Sequence, residues 1–149
     1  MKENVFAYER AKELLKEKGI LTQEILIKEL GVGHSSANWI IKKLMRERVI
    51  VEGDGNLYFP YKELNFDEMV SILQRKKVLD NVKKILEILN DLDRPVRPHE
   101  IYEKTGKSPG WFGWNIIRCI NFGLVETIHK GLYTITDKGK QLLKILKSG

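Results

Sequence analysis

Two stretches, GNLYFPYKEL at residues 55–64 and GLYTITDKGKQLL at 131–143, each place a Leu-Tyr pair just after a glycine turn. That recurrence constrains the fold more than any other feature of the chain. Trp39 and Trp114 stand 75 residues apart (114 − 39). The same ungapped step aligns Leu57 with Leu132, Tyr58 with Tyr133, Ile41 with Ile116, Gly31 with Gly106 and Lys43 with Arg118. It also sets Val49-Ile50 on Leu124-Val125, Leu21 on Val96 and Leu14 on Leu89. Few of the pairs are identical, yet apolar class is kept in one register, which implies an internal structural duplication. A chain of 149 residues then holds two small domains of about 70 residues each.

Each copy reads alike. In the first, Val5, Tyr8, Ala11, Leu14 and Leu15 have helical spacing, and Gly19 ends the helix. Ile20-Leu21 is a short extended piece, and Thr22 with Glu24 opens a second helix that stops at Gly31-Val32-Gly33. A third helix runs from about His34 to Glu47, Val49-Ile50-Val51 is a strand, and Glu52-Gly53-Asp54-Gly55-Asn56, with its Asp-Gly signal, is a hairpin turn before Leu57-Tyr58-Phe59. In the second copy the helices cover about 78–91, from Arg97-Pro98 to Gly106, and about 109–122. Leu124–Ile128 and Leu132–Ile135 are the hairpin strands around a His129-Lys130-Gly131 turn. Thr136 or Asp137 caps a last basic amphipathic helix. Residues 61–77 match neither copy; Asn65 caps a connecting helix over Phe66–Lys77, read as running on into the next helix.

Helix, strand stub, helix, turn, helix and hairpin is the order of a winged helix-turn-helix. Leu30-Gly31-Val32 through Leu44 to Val49-Ile50-Val51, and Glu100-Ile101-Tyr102 through Tyr133-Thr134-Ile135-Thr136-Asp137-Lys138-Gly139, resemble the winged-helix domains of archaeal and bacterial transcription regulators. The resemblance covers most of the chain. It implies a mainly α fold with small β-hairpin wings (α+β), in two tandem winged-helix domains at 1–62 and 78–149 joined by a helical linker at 63–77. It specifies fold better than function, because winged helices also serve as protein-binding modules.

In a helix-turn-helix the N-terminal half of the third helix meets base edges in the major groove. On a helical wheel Ile40, Ile41 and Leu44 lie within about 60° of the Ala37 direction, and all four face the core. His34, Ser35, Ser36, Asn38, Lys42, Lys43 and Arg46 are the candidate DNA-binding residues of this helix. Asn pairs with adenine, Ser donates or accepts, and Lys and Arg bind guanine or phosphate; the same residues also suit an ordinary solvated face. In the second copy Phe112, Ile116, Cys119 and Ile120 form the core face, and Arg118 is the one cation of the helix. Trp39, Trp111, Trp114 and Ile117 are read as contact residues, since Trp brings large area to interfaces. Trp111 and Trp114 have a second reading, as packing inside their own domain. Glu52 and Asp54 give the first wing an acidic tip, whereas His129 and Lys130 suit the second wing to a phosphate or minor-groove contact.

The net charge of +6 and pI of about 9.3 lean towards a polyanionic partner. Residues 1–62 hold 11 basic against 9 acidic side chains, and residues 63–149 hold 15 against 11. The surplus in Arg75-Lys76-Lys77, Lys83-Lys84, Arg94, Arg97 and the last helix suits a phosphate backbone, or a solvated helix face. Cys119 alone excludes an internal disulfide framework. There is no Gly-rich nucleotide loop, CxxC pair or HExxH, and His34, His99 and His129 fall on separate elements. The expectation is therefore a non-enzymatic protein with no cofactor, metal or membrane span, in the cytoplasm or on a prokaryotic nucleoid. Double-stranded DNA is the expected partner, with the first copy reading and the second positioning or mediating contacts, including a homodimer or protein partner. The alternative is a tandem winged-helix interaction module of a transcription or replication assembly.

Overall fold

Local signals in the chain set where each element begins and ends. In the computed structural model, which describes residues 2–129 and 131–148, helices α1 (Lys2–Lys18), α2 (Gln23–Leu30) and α3 (His34–Arg46) precede strands β1 (Ile50–Glu52) and β2 (Tyr58–Pro60). Then follow α4 (Phe66–Arg75), α5 (Leu79–Leu92), α6 (Pro98–Thr105), α7 (Pro109–Asn121), β3 (Val125–His129), β4 (Leu132–Ile135) and α8 (Asp137–Ser148). The described residues thus form a mainly helical protein with two small antiparallel hairpins, an α+β arrangement. The chain divides into two compact units, residues 1–63 and 64–149.

Both units repeat one plan at the 75-residue step. It carries α2 onto α6 and α3 onto α7 at both ends of each helix. Gly31 and Gly106 end α2 and α6 in the left-handed conformation, at φ of 65° and 68°, where a missing Cβ avoids a steric penalty. Each two-stranded hairpin is joined by an isolated bridge residue. Leu21 bridges Tyr58, and Val96 bridges Tyr133, each through paired backbone hydrogen bonds of 2.8 and 2.9 Å. The ladder closes with Tyr61 N donating to Val49 O at 2.9 Å and Thr136 N to Leu124 O at 3.0 Å.

The cores follow from the helical stripes. Leu14, Leu21, Leu26, Ile40, Ile41 and Leu44 are fully buried in the first unit; Ile85, Leu86, Val96, Ile101, Cys119 and Leu142 are so in the second. The step sets Phe112 where the first unit has Ala37, and both are buried. The Phe112 ring meets Tyr102 and Tyr133 edge-on, at centroid distances of 5.5 and 5.8 Å. Burial pushes the Cys119 thiol up to about 12, so it behaves as a small apolar core residue.

Several expectations are corrected. The connecting helix stops at Arg75 instead of running to Lys77 and on into α5. Val78 N donates to Leu73 O at 2.9 Å, and Lys77 takes a φ of 61°, which turns the chain. That helix groups with the second unit; its start is capped as read, with Asn65 Oδ1 accepting from Glu68 N at 2.8 Å. The first hairpin turn lies one residue further along than the expected 52–56. Gly53 N donates to Leu57 O at 2.9 Å, so residues 53–57 form the turn. Glu52 lies in β1 opposite Tyr58 and is 1% exposed. It is not at the tip, because strand pairing extends through it, and Asp54 is left as the exposed acid there. His129 belongs to β3 rather than the turn, opposite Leu132 across an irregularity in the register.

At the start of α6, Arg94 Nη2 meets Glu100 Oε1 at 2.6 Å, and Arg97 N donates to Glu100 Oε2 at 2.8 Å. The Arg94 guanidinium first, and the Arg97 N–H second, hold the Glu100 carboxyl down at about 2. A folded-state value below the unfolded one adds stability above the ordinary carboxylate range, lost as pH falls through it towards 2. Glu100→Gln should therefore be less stable than the parent at neutral pH, by a small margin for so exposed a pair. The difference should vanish in urea titrations near pH 2.

Candidate functional site

The first unit presents α3 with one side in the core and the other open. Ala37, Ile40, Ile41, Leu44 and Met45 are buried, while His34, Ser35, Trp39 and Arg46 are exposed and Ser36, Asn38, Lys42 and Lys43 are half-exposed. Ser35, Trp39, Lys42 and Arg46 share one stripe at helical spacing. No acidic residue lies between His34 and Arg46.

The start of α3 is also open. Thr22 Oγ1 accepts from Ile25 N at 3.0 Å to cap α2, and Ser108 Oγ accepts from Trp111 N at 3.2 Å to cap α7. Position 33, which the step matches to Ser108, is Gly33, and it gives α3 no side-chain cap. The first-turn N–H groups of α3 thus keep their partial positive charge available to an anion.

Neighbouring elements fix two of the polar side chains. Gln23, at the start of α2, donates from Nε2 to Asn38 Oδ1 at 2.8 Å and lies 3.5 Å from His34 O. This pair orients the Asn38 amide. Lys43 Nζ sits 4.5 Å from the Tyr8 ring centroid and 5.3 Å from that of Trp39, an electrostatic attraction to the ring faces. Lys12 Nζ lies 4.6 Å from the same Tyr8 ring. Tyr8 Oη donates to Glu47 Oε1, and burial together with that carboxylate pushes the phenol well above its ordinary range. Lys43 is therefore committed to α1; Lys42 is half-exposed and Arg46 exposed on the outer side of α3. Gln23 and Tyr8 were not read as site residues. Gln23 carries only the faint signal of following the Thr22 cap, and Tyr8 looks like any other member of the α1 stripe.

The α7 face is different. The places of Lys42 and Arg46 are taken by Ile117 and Asn121, which are 3% and 1% exposed. Ile117, expected as a contact residue, is thus already covered. Gly110 and Gly113 stand where α3 has Ser35 and Asn38. Arg118 does not reach outward as an isolated cation. Its Nη1 donates to Asn115 Oδ1 at 3.1 Å, its guanidinium lies 6.0 Å from the Trp114 ring centroid, and Asn115 Nδ2 donates to Trp111 O at 2.8 Å. Trp111 and Trp114 are half-exposed. His129 is exposed on β3, and Lys130 lies outside the described residues.

Among the described residues no group of three or more His, Cys, Asp or Glu side chains is placed to hold a metal ion. No described helix is long and apolar enough to cross a membrane. Comparison with protein-family models, with curated proteins and with solved structures finds no match.

Proposed function

We propose that both units are winged helices and that the chain is a double-stranded DNA-binding protein, a transcription regulator, that acts without catalysis on cytoplasmic or nucleoid DNA. In this reading α3 enters the major groove and the second unit positions the complex or mediates contacts. The observation that carries it is the outer face of α3. Ser35 and Arg46 are exposed and Asn38 and Lys42 half-exposed beside an uncapped helix start, with no acid on the helix. Cations there neutralise phosphates, and polar side chains near the N-terminus meet base edges. The matching face of α7 carries glycines, a buried Ile117 and a buried Asn121, so the two copies divide the work.

Fluorescence anisotropy on a random duplex of roughly three helical turns, titrated with salt, tests this. Micromolar binding that weakens with salt is expected. Lys42→Ala with Arg46→Ala should reduce the slope of log K against log salt by about 1.8, at about 0.9 per lost phosphate contact. An unchanged slope would move the contact off α3. No binding even at low salt would leave the competing reading, a tandem interaction module of a transcription or replication assembly. That reading draws on the half-exposed Trp111 and Trp114, and a pull-down lost on Trp114→Ala would support it.

A further inference from the structure

Trp39 is the one large apolar side chain on an otherwise polar stripe. It is the sixth residue of α3, 39% exposed, one turn after Ser35 and one turn before Lys42 and Lys43. It is not a loose surface residue. Lys43 Nζ lies 5.3 Å from its ring centroid and is itself held over Tyr8 at 4.5 Å. Lys43 is thus a prop beneath the indole, tied down by a tyrosine whose hydroxyl is bonded to Glu47. Beside it Asn38 is held by Gln23 at 2.8 Å. An indole backed by Lys43 and an amide held by Gln23 therefore occupy consecutive positions in the N-terminal half of the helix.

The major groove displays one apolar group, the 5-methyl of thymine, and one base edge that suits a carboxamide in bidentate fashion, adenine N6 and N7. Lys42 and Arg46 sit further along α3, where a docked helix passes the backbone, and are assigned to phosphates. We propose that α3 selects A·T-rich half-sites, with Trp39 packing on thymine methyl groups and Asn38, positioned by Gln23, addressing the neighbouring adenine. This rests on the DNA-binding reading and names what its site recognises.

Uracil lacks only the methyl group, so it isolates the contact. A pool of A·T-rich random duplexes is made once with thymine and once with uracil, and each is bound by the full chain and by two variants. The parent should bind the thymine pool about fourfold more tightly for one buried methyl. Trp39→Ala should bind both pools alike, and the coupling of the two changes measures the contact itself. Trp39→Phe keeps a ring over Lys43, which guards against a folding defect, and should retain part of the thymine preference. Equal binding of both pools by the parent, or a thymine preference that survives in Trp39→Ala, overturns the proposal while leaving DNA binding intact. Tighter binding to the single strand than to the duplex overturns it too, since the indole would then be stacking on bases. Failure of every pool to bind at low salt removes the DNA-binding reading and this one with it.

Discussion

Phe112→Ala is expected to lower stability by about 4 kcal/mol, within the usual range for deleting a buried aromatic ring. The ring is 4% exposed and knits three elements. It projects from α7, meets Tyr102 of α6 edge-on at 5.5 Å and meets Tyr133 of β4 at 5.8 Å. Tyr133 in turn holds the Val96 bridge. Truncation opens a cavity and removes two aromatic contacts at once. Amide exchange in α6, α7 and β4 should quicken by about a thousandfold if opening follows the lost stability. The matching residue of the first unit is Ala37, so that unit has no equivalent ring to lose. A loss below about 1 kcal/mol, the size of a surface change, would mean that the site collapses around the gap and that the ring is not the tie it appears in the structure.

Gly139→Ala should cost about 3 kcal/mol, at the top of the range for overpacking. A Cβ there would overlap the Leu124 carbonyl oxygen and lie 2.8 Å from Ile135 Cγ1. That carbonyl cannot retreat freely, because it accepts from Thr136 N at 3.0 Å. Thr136 is itself fixed, donating from Oγ1 to Gly123 O at 2.6 Å and accepting from Gly139 N at 3.0 Å. The penalty exceeds the helix-propensity gain of about 1 kcal/mol for alanine over glycine. Gly113, inside α7, has nothing within 4 Å of an added Cβ. Gly113→Ala should therefore stabilise by about 1 kcal/mol. Thermal melts of the two variants should move in opposite directions. A shift in the same direction for both would show that backbone approach at Gly139 is not limiting.

Much of the fold could be read locally. The bounds of α2 and α6 follow from Thr22, Gly31, Pro98 and Gly106, because caps and breakers act within a few residues. The buried faces of α3 and α7 follow from apolar periodicity, which placed Ala37, Ile40, Ile41, Leu44, Phe112, Ile116, Cys119 and Ile120 correctly. The candidate site was legible only in part. A helical wheel puts Lys42, Lys43 and Arg46 outside the core but cannot say that Lys43 bends to Tyr8, whose sequence separation is large. Nor does it show Gln23 reaching Asn38. Glu52 reads as a turn residue beside Gly53-Asp54-Gly55, yet its pairing with Tyr58 draws it into a buried strand position.

The amino-acid order by itself determined the 75-residue repeat, the ends of α2 and α6 and the inward faces of α3 and α7, since each depends on periodicity or on side-chain and backbone preferences within one or two turns. Only the tertiary structure decided which outward residues stay available. The second copy closes the face of α7 at Ile117 and Asn121, whereas the first leaves Trp39 and Arg46 exposed and Lys42 half-exposed on α3. That difference depends on packing between segments far apart in the chain, where burial and hydrogen bonding are settled by shape rather than by local preference.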